Sequence, residues 1–127
     1  MSTNCGLAVK VGETYETIYC HWDGYPSYML PMLREHYGTR ELAGRLVNLG
    51  DASCICEKLE PTGKHDFHLP ETDVSVFYHR DRGESWESCH SVCYIESELF
   101  RQSAFEYVYI FEDDQWFVYK NKQRLSL

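Results

Sequence analysis

Two short polar motifs carry the side chains best suited to chemistry in this sequence. The first spans residues 19–26 (YCHWDGYP), and the second spans residues 78–84 (YHRDRGE). Each contains a histidine close to an aspartate, an arrangement that can transfer protons or bind a metal ion. The second also contains two arginines, whose guanidinium groups can bind a carboxylate or a phosphate through paired hydrogen bonds.

Each polar motif begins where a β-strand is predicted to end. Residues 14–22 and 74–79 are rich in β-favouring side chains. If these two strands are parallel, their C-terminal ends lie together, where ligands often bind. This arrangement would form one binding site from His21, Trp22, Asp23, Tyr25, His79, Arg80, Asp81 and Arg82. In the alternative interpretation the aspartates brace their own turns and the arginines pair with neighbouring acids.

The segments around these motifs predict hairpins and a pair of helices. Residues 7–11 form a hairpin with the strand that precedes the first motif, joined by a Gly-Glu turn. Ser27 can cap a helix that ends near residue 37, with Pro31 in or near its first turn. Thr39 can cap a second helix, which Gly50 ends in the left-handed conformation.

The C-terminal half predicts a long connection followed by an aromatic hairpin. Residues 51–72 are irregular, and residues 96–103 favour a short helix capped near Ile95 or from Ser97. Two aromatic strands then flank the turn at residues 112–115. The element order ββααβ(α)ββ predicts a single α+β domain over residues 1–127, with a mainly antiparallel sheet and the helical hairpin packed on one face.

The cysteines and remaining histidines raise the possibility of zinc. Two cysteine pairs with His65 and His68 between them could supply four ligands: Cys54, Cys56, Cys89 and Cys93. Their C-x-C and C-x₃-C spacings differ from the usual zinc knuckles. We therefore expect six reduced thiols, no metal ligands, no cofactor and no catalytic residue.

The charge of the chain restricts its partners. Twenty acidic and twelve basic residues give a net charge of −8, which excludes the basic face that direct nucleic-acid binding requires. Acidity suits solubility, a basic protein partner, or imitation of nucleic acid. There is no apolar run of membrane-spanning length and no signal-peptide pattern, so a cytoplasmic location is expected. The candidate acidic contact groups are Glu57, Glu60, Glu106, Glu112, Asp113 and Asp114.

The two polar motifs, together with residues 35–37 and 49–51, resemble a family of small proteins encoded by phages, prophages and other mobile elements. The likeness extends over about residues 17–119. It implies a setting in a bacterial host cell, where small acidic accessory proteins often act against host functions, including defence systems such as CRISPR. It implies no catalytic role for any residue.

These observations leave three functional hypotheses. The leading one is a binding protein that inhibits a host protein or protein–nucleic-acid complex, with an acidic surface that competes with DNA or RNA for a basic groove. The second is a small-ligand or nucleotide-binding protein that uses His21, Asp23, His79, Arg80 and Arg82. The third is a metal-assisted hydrolase that uses the same cluster. The oligomeric state is left open by the sequence.

Overall fold

A computed structural model describes residues 3–102 and 104–126 of the chain. Within them the strands are β1 (Cys5–Val11), β2 (Thr14–Cys20), β3 (Ala52–Cys54), β4 (Val76–Phe77), β5 (Val92–Ile95), β6 (Tyr107–Glu112), β7 (Gln115–Lys120) and β8 (Gln123–Arg124). The helices are α1 (Pro26–His36), α2 (Arg40–Asn48), α3 (Tyr78–Arg82), α4 (Trp86–Cys89) and α5 (Glu96–Leu99). None of the helices in the described part of the chain has the length and apolar character needed to cross a membrane.

One mixed sheet organises the fold. Its strand order is β4-β3-β2-β1-β6-β7-β8, and β5 pairs with β2 alongside that path. Most neighbours are antiparallel, as in the β1–β2 and β6–β7 hairpins, but β1–β6 and β2–β3 are parallel. The predicted α+β class with a mostly antiparallel sheet is therefore confirmed.

The sheet separates a large core from a smaller one. Helices α1 and α2 pack on one face, where the buried side chains include Leu33, Leu46 and Trp116. The opposite face has a smaller cluster around Tyr15 and Leu99, the second of which α5 supplies. Side chains alternate between the faces along each strand, so β1 and β6 contribute to both cores.

Local signals set most helix ends. The side chain of Thr39 accepts a hydrogen bond from the backbone of α2, and Gly50 has a φ of +86° just beyond that helix, as the sequence predicts. The α1 prediction was wrong in detail: Tyr25 occupies the N-cap and Pro26 the first turn, so Ser27 is not the cap. Pro31 consequently lies inside α1 rather than near its first turn.

Other elements differ from the sequence prediction. The connection over residues 51–72 contains β3, and the strand predicted over residues 74–79 stops at Phe77, where α3 begins. Strands β5 and β8 and helix α4 were not predicted. The short helix predicted over residues 96–103 ends at Leu99, and Ser103 lies outside the described residues.

Candidate functional site

The first polar motif leaves the sheet along β3. The backbone N–H of His21 donates to Ala52 O (3.1 Å), and that of Trp22 donates to Ser53 O (2.9 Å). The His21 Nδ1 atom lies 2.7 Å from the Tyr19 hydroxyl, and its ring meets Trp22 edge-on at 4.7 Å. These contacts hold the histidine between two aromatic rings, just beyond the C-terminal end of β2.

The end of this motif exposes two aromatic rings. Trp22 is 46% exposed and Tyr25 is 40% exposed. Between them Asp23 adopts a φ of +59°, a conformation that Asp tolerates better than most residues. Exposed Trp and Tyr side chains are common at protein-binding surfaces.

The second polar motif is helical, and the side chain of Asp81 is its most buried polar group. The carboxylate of Asp81 is 4% exposed. It accepts hydrogen bonds from the backbone N–H of Phe77 (2.8 Å) and from Arg80 Nε (2.8 Å). The Arg80 guanidinium also donates to the carbonyl oxygens of Leu59 (2.6 Å) and Ser75 (2.8 Å). Arg80 thus ties α3 to Leu59 in the long connection and to Ser75 just before β4.

His65 completes this network from the middle of the connection. Its ring is 1% exposed, and its Nδ1 accepts the backbone N–H of Glu71 (2.9 Å). The opposite nitrogen, Nε2, lies 3.2 Å from Asp81 Oδ2, off the line that a good hydrogen bond requires. Both ring nitrogens face protein atoms, so His65 has no free nitrogen to offer a substrate.

The electrostatics of Asp81 match a structural role. Burial raises the pKa of its carboxyl group, but hydrogen bonds from Arg80 and from the backbone N–H of Phe77, together with the nearby His65 side chain, outweigh burial and hold the pKa below its ordinary value. Asp81 is therefore ionised and fully engaged in the folded protein. The sequence analysis named Asp81 and Arg80 but missed His65 as their partner, because no local pattern links residues sixteen positions apart.

The two polar motifs do not leave the sheet together. Strand β3 is parallel to β2 but antiparallel to β4, so β2 and β4 run in opposite directions. The first motif continues alongside β3 as far as Ser53, whose carbonyl accepts the Trp22 N–H. The second motif begins at the opposite end of β3, where the Tyr78 N–H donates to Asp51 O (3.1 Å). Among the described residues, no hydrogen bond, ion pair or ring contact joins their polar side chains. The parallel arrangement required for the shared-site hypothesis is therefore absent.

The remaining side chains of the second motif lie on its outer side. His79 Nδ1 pairs with Glu84 O at 2.8 Å, and the His79 ring lies 5.0 Å from that of Trp86. Arg82 pairs with the Glu84 carboxylate at 3.4 Å and covers the Phe67 ring at 4.8 Å. A shallow hollow beside them is lined by Asn48, Leu49, His79, Arg80 and Trp86.

The predicted acidic contact groups differ in availability. Glu112 is 13% exposed and is held by the Tyr119 hydroxyl (2.7 Å) and by Arg124 (3.7 Å). Glu57 and Glu60 pair with His36 and Arg45 respectively. Glu106, Asp113 and Asp114 are exposed. Asp113 and Asp114 form the β6–β7 turn with φ of +52° and +61°, as a two-residue hairpin of this type requires.

Strand pairing gathers acids from three parts of the chain at one end of the sheet. The parallel pairing of β1 with β6 brings the Gly12–Glu13 turn beside the turn at residues 113–114. Ile95 pairs with Thr14, which places Glu96 at the same end. We call the exposed residues Glu13, Glu96, Asp113 and Asp114 the acidic sheet end.

The electrostatic environment of Tyr15 supports this grouping. Burial raises the pKa of the Tyr15 phenol; Lys10 lowers it, and Glu96 and Glu112 raise it further. Lys10 and Arg40 line a hollow together with Asp113 and Asp114, so two basic side chains lie beside the acidic turn. Glu96 at the start of α5 and Glu112 at the end of β6 therefore act on the same phenol.

An apolar centre accompanies the acidic sheet end. Val11 and Ile95 are each 50% exposed. Both pair with Thr14, Val11 from β1 and Ile95 from β5, so the two apolar side chains flank Thr14 on one face of the sheet. Apolar groups surrounded by charge are the usual anatomy of a protein-binding surface.

Four of the six cysteines lie in two pairs: Cys5 faces Cys20 across β1 and β2, and Cys54 lies beside Cys56. All six are free thiols, with Cys5, Cys20 and Cys89 buried and Cys93 exposed. A hydrogen bond from Cys56 lowers the pKa of the Cys54 thiol. Within residues 3–102 and 104–126 no group of three or more His, Cys, Asp or Glu side chains has a metal-binding arrangement. His65 faces Asp81 instead of the cysteines.

Comparisons of the chain with protein-family models, curated proteins and solved structures give no match.

Proposed function

We propose that this chain is a phage-type accessory protein that binds and inhibits a host factor. The proposed target is a nucleic-acid-handling defence complex, so that the activity is anti-CRISPR-like. Inhibition is competitive: the acidic surface occupies a basic groove that otherwise holds DNA or RNA. The observation that carries the proposal is the acidic sheet end, because strand pairing concentrates there carboxylates that are scattered along the sequence.

Charge and shape both support a protein partner with a basic groove. A net charge of −8 repels the nucleic-acid backbone but attracts a surface built to bind it. The acidic turns are tight and exposed, so their carboxylates are held apart in a fixed geometry rather than on flexible ends. Val11 and Ile95 add apolar area at the same surface, which charge alone would not supply.

A charge-neutralising variant tests this surface. The double substitution Asp113→Asn and Asp114→Asn removes two charges while keeping side chains that tolerate positive φ. The matched control is Glu57→Gln with Glu60→Gln. It removes the same charge from the segment that follows β3, and β3 pairs with the end of β2 that lies away from the acidic sheet end. Each immobilised protein is incubated with bacterial host lysate, and bound proteins are identified by mass spectrometry.

We expect wild type and the control to retain the same nucleic-acid-binding protein and the Asn variant to lose it. Added salt should weaken the complex, because the attraction is between exposed charges. Purified target should release its nucleic acid when the wild-type chain is added. Equal retention by all three proteins would contradict a role for the acidic sheet end.

The hollow beside Trp86 favours a second candidate function, small-ligand or nucleotide binding. It brings together His79, Arg80 and the half-exposed indole of Trp86, on which a planar ligand could stack. A nucleotide should then raise the melting temperature of wild type but not that of Trp86→Ala. His21 and Asp23 belong to the other motif, so this site uses only part of the predicted set.

A further inference from the structure

Two partly exposed cysteines lie side by side at the end of β3. Ile55 is fully buried in the large core, whereas Cys54 and Cys56 on either side of it are partly exposed. Successive side chains of an extended segment point to opposite sides, so the burial of Ile55 directs both thiols away from the core together. We call Cys54 and Cys56 the C-x-C dithiol.

The backbone of the C-x-C dithiol is fixed by hydrogen bonds from its neighbours. The Tyr28 hydroxyl donates to Ile55 O (2.7 Å), and the Cys56 N–H donates to Ser75 Oγ (2.7 Å). The Cys56 carbonyl accepts from the hydroxyls of Ser75 (3.1 Å) and Tyr37. The two sulfur atoms therefore project from a backbone that is held in one conformation.

The spacing of the two cysteines allows a bond between their sulfur atoms. Residues two apart in an extended chain have Cα atoms roughly 6.6 Å apart, and disulfides join Cα atoms that are about 4.4–6.8 Å apart. Strand β3 ends at Cys54, so Cys56 lies outside the strand ladder and can approach without breaking a strand pair. A ring that closes around a single residue is strained, which makes such a disulfide easy to reduce again.

The two thiols differ in reactivity. Hydrogen bonding from Cys56 is the main influence on the Cys54 thiol and lowers its pKa; the backbone N–H of Val76 acts in the same direction, and together they outweigh burial. The contact with Cys54, followed by burial, raises the pKa of the Cys56 thiol. Because the thiolate is the nucleophile, Cys54 reacts first. Once its sulfur is bonded to another sulfur, it no longer carries the charge that holds the proton on Cys56, and Cys56 can react next.

The other four cysteines lack this combination of exposure and a neighbouring thiol. Cys5, Cys20 and Cys89 are buried, so a reagent in solution does not reach them in the folded protein. Cys93 is exposed on β5, a different strand. It therefore serves as the control for exposure alone.

Acidic groups select the kind of molecule that can approach the C-x-C dithiol. The charge of Asp23 raises the pKa of Cys54, and that of Asp73 raises the pKa of Cys56, so both carboxylates act on the two sulfur atoms. Both aspartates are exposed, and the whole chain carries a net charge of −8. A positively charged reagent is therefore attracted to the dithiol, and a negatively charged one is repelled.

We propose that the C-x-C dithiol is a thiol–disulfide exchange site for small, positively charged disulfides. Cys54 releases its proton to water and attacks one sulfur atom of the substrate; the substrate S–S bond breaks, and the departing thiolate takes a proton from water. Cys56 then releases its proton and attacks the Cys54 sulfur of the mixed disulfide, which frees the second half of the substrate as a thiol. The two cysteines are oxidised to a disulfide by two electrons, and the substrate is reduced to two thiols.

This site is separate from the surface proposed to bind a host factor. Strand β3 pairs with the end of β2 that lies away from the acidic sheet end. The Asp113→Asn and Asp114→Asn variant should therefore retain the exchange reaction, and cysteine variants should retain the host complex. Failure of one proposal leaves the other intact.

Three small disulfides of different charge test the inference. The reduced full-length chain is incubated without oxygen with cystamine (cationic), hydroxyethyl disulfide (neutral) or glutathione disulfide (anionic). The reaction is stopped with acid, free thiols are alkylated, and the masses of the chain and of its cysteine peptides are measured. The variants are Cys54→Ser and Cys56→Ser, with Cys93→Ser as the matched control. Each rate is divided by the rate of the same disulfide with mercaptoethanol, which removes differences in intrinsic reactivity.

We expect wild type and Cys93→Ser to lose two hydrogen atoms and to form the bridge between Cys54 and Cys56. Cys56→Ser should stop at a mixed disulfide on Cys54, and Cys54→Ser should leave Cys56 unreacted over the same time, because its rate falls at least about tenfold. The normalised rate with cystamine should exceed that with glutathione disulfide at least about tenfold at low salt. Added salt, or Asp23→Asn, should reduce this difference.

A wild-type chain in which none of the three disulfides bridges Cys54 and Cys56 would overturn the inference. So would a Cys56→Ser variant whose mixed disulfide forms on a cysteine other than Cys54. Equal normalised rates for cystamine and glutathione disulfide would refute the preference for positive charge. Circular dichroism verifies that each serine variant is folded; if one is not, the cysteine peptides of wild type decide.

Discussion

The substitution Asp81→Ala should destabilise the fold by unpairing a buried arginine. Its carboxylate accepts from Arg80 at 2.8 and 3.1 Å and from the Phe77 N–H at 2.8 Å, and it lies 3.2 Å from His65. Alanine removes all of these contacts together. The guanidinium of Arg80 and the N–H of Phe77 are then left beside a cavity instead of an acceptor.

The cost follows from the burial of the pair. Loss of one partner of a buried ion pair costs about 3–5 kcal/mol. The Asp81 side chain is 4% exposed, but that of Arg80 is 21% exposed and keeps its bonds to the Leu59 and Ser75 carbonyls. We therefore expect a loss of about 3 kcal/mol in the free energy of unfolding, equivalent to a fall in melting temperature of roughly 10 °C for a chain of this size.

Urea unfolding followed by circular dichroism measures this loss. The control is Glu84→Gln, which removes the ion pair with Arg82, whose side chain is 48% exposed. Exposed pairs contribute only about 0–1 kcal/mol, so the control should match wild type closely. If Asp81→Ala behaved like the control, the network of Asp81, Arg80 and His65 would not stabilise the long connection, and the motif would be available for binding.

Two further predictions address pH and backbone conformation. The folded-state pKa of Asp81 lies below its ordinary value. The carboxylate therefore stabilises the fold fully above its unfolded-state pKa of about 3.9, and this contribution is lost as pH falls through the lower folded-state pKa. Asp81→Asn should flatten the acid side of the curve of unfolding free energy against pH, measured by urea unfolding. Gly50→Ala should destabilise the protein far more than Gly12→Ala, as compared by thermal unfolding. Both glycines have positive φ, so both variants incur the left-handed penalty of about 1–2 kcal/mol, but a Cβ at Gly50 would lie 2.5 Å from Cys89 O, whereas Gly12 faces open space. Equal melting temperatures for the two glycine variants would refute the packing argument.

The sequence predicted elements whose signals are local. The Gly12–Glu13 turn and the acidic turn at residues 113–114 specify hairpins, because their backbone conformations depend on few neighbours. Thr39 and Gly50 mark the ends of α2 for the same reason. The Ser27 cap failed because Pro26 suits the first helical position, which moved the cap of α1 from Ser27 to Tyr25.

The polar motifs were predicted only in part from the sequence. The sequence identified Arg80 and Asp81 as residues that require partners, since buried charges are costly when isolated. It also offered the interpretation in which the aspartate braces its own turn, and Asp81 does accept the Phe77 N–H. It did not identify His65, whose ring reaches Asp81 only because the long connection folds back over α3.

Net charge, the two hairpins and the helical pair α1–α2 were thus determined by the sequence itself, because each depends on composition or on residues close together in the chain. The direction of β4 relative to β2, the pairing of β5 with β2 and the parallel pairing of β1 with β6 were decided only by the tertiary structure. Strand pairs of this kind join segments whose backbone groups are chemically alike, so their choice depends on packing of the whole core rather than on local pattern. For that reason the separation of the two polar motifs and the acidic sheet end emerge only when the chain is folded.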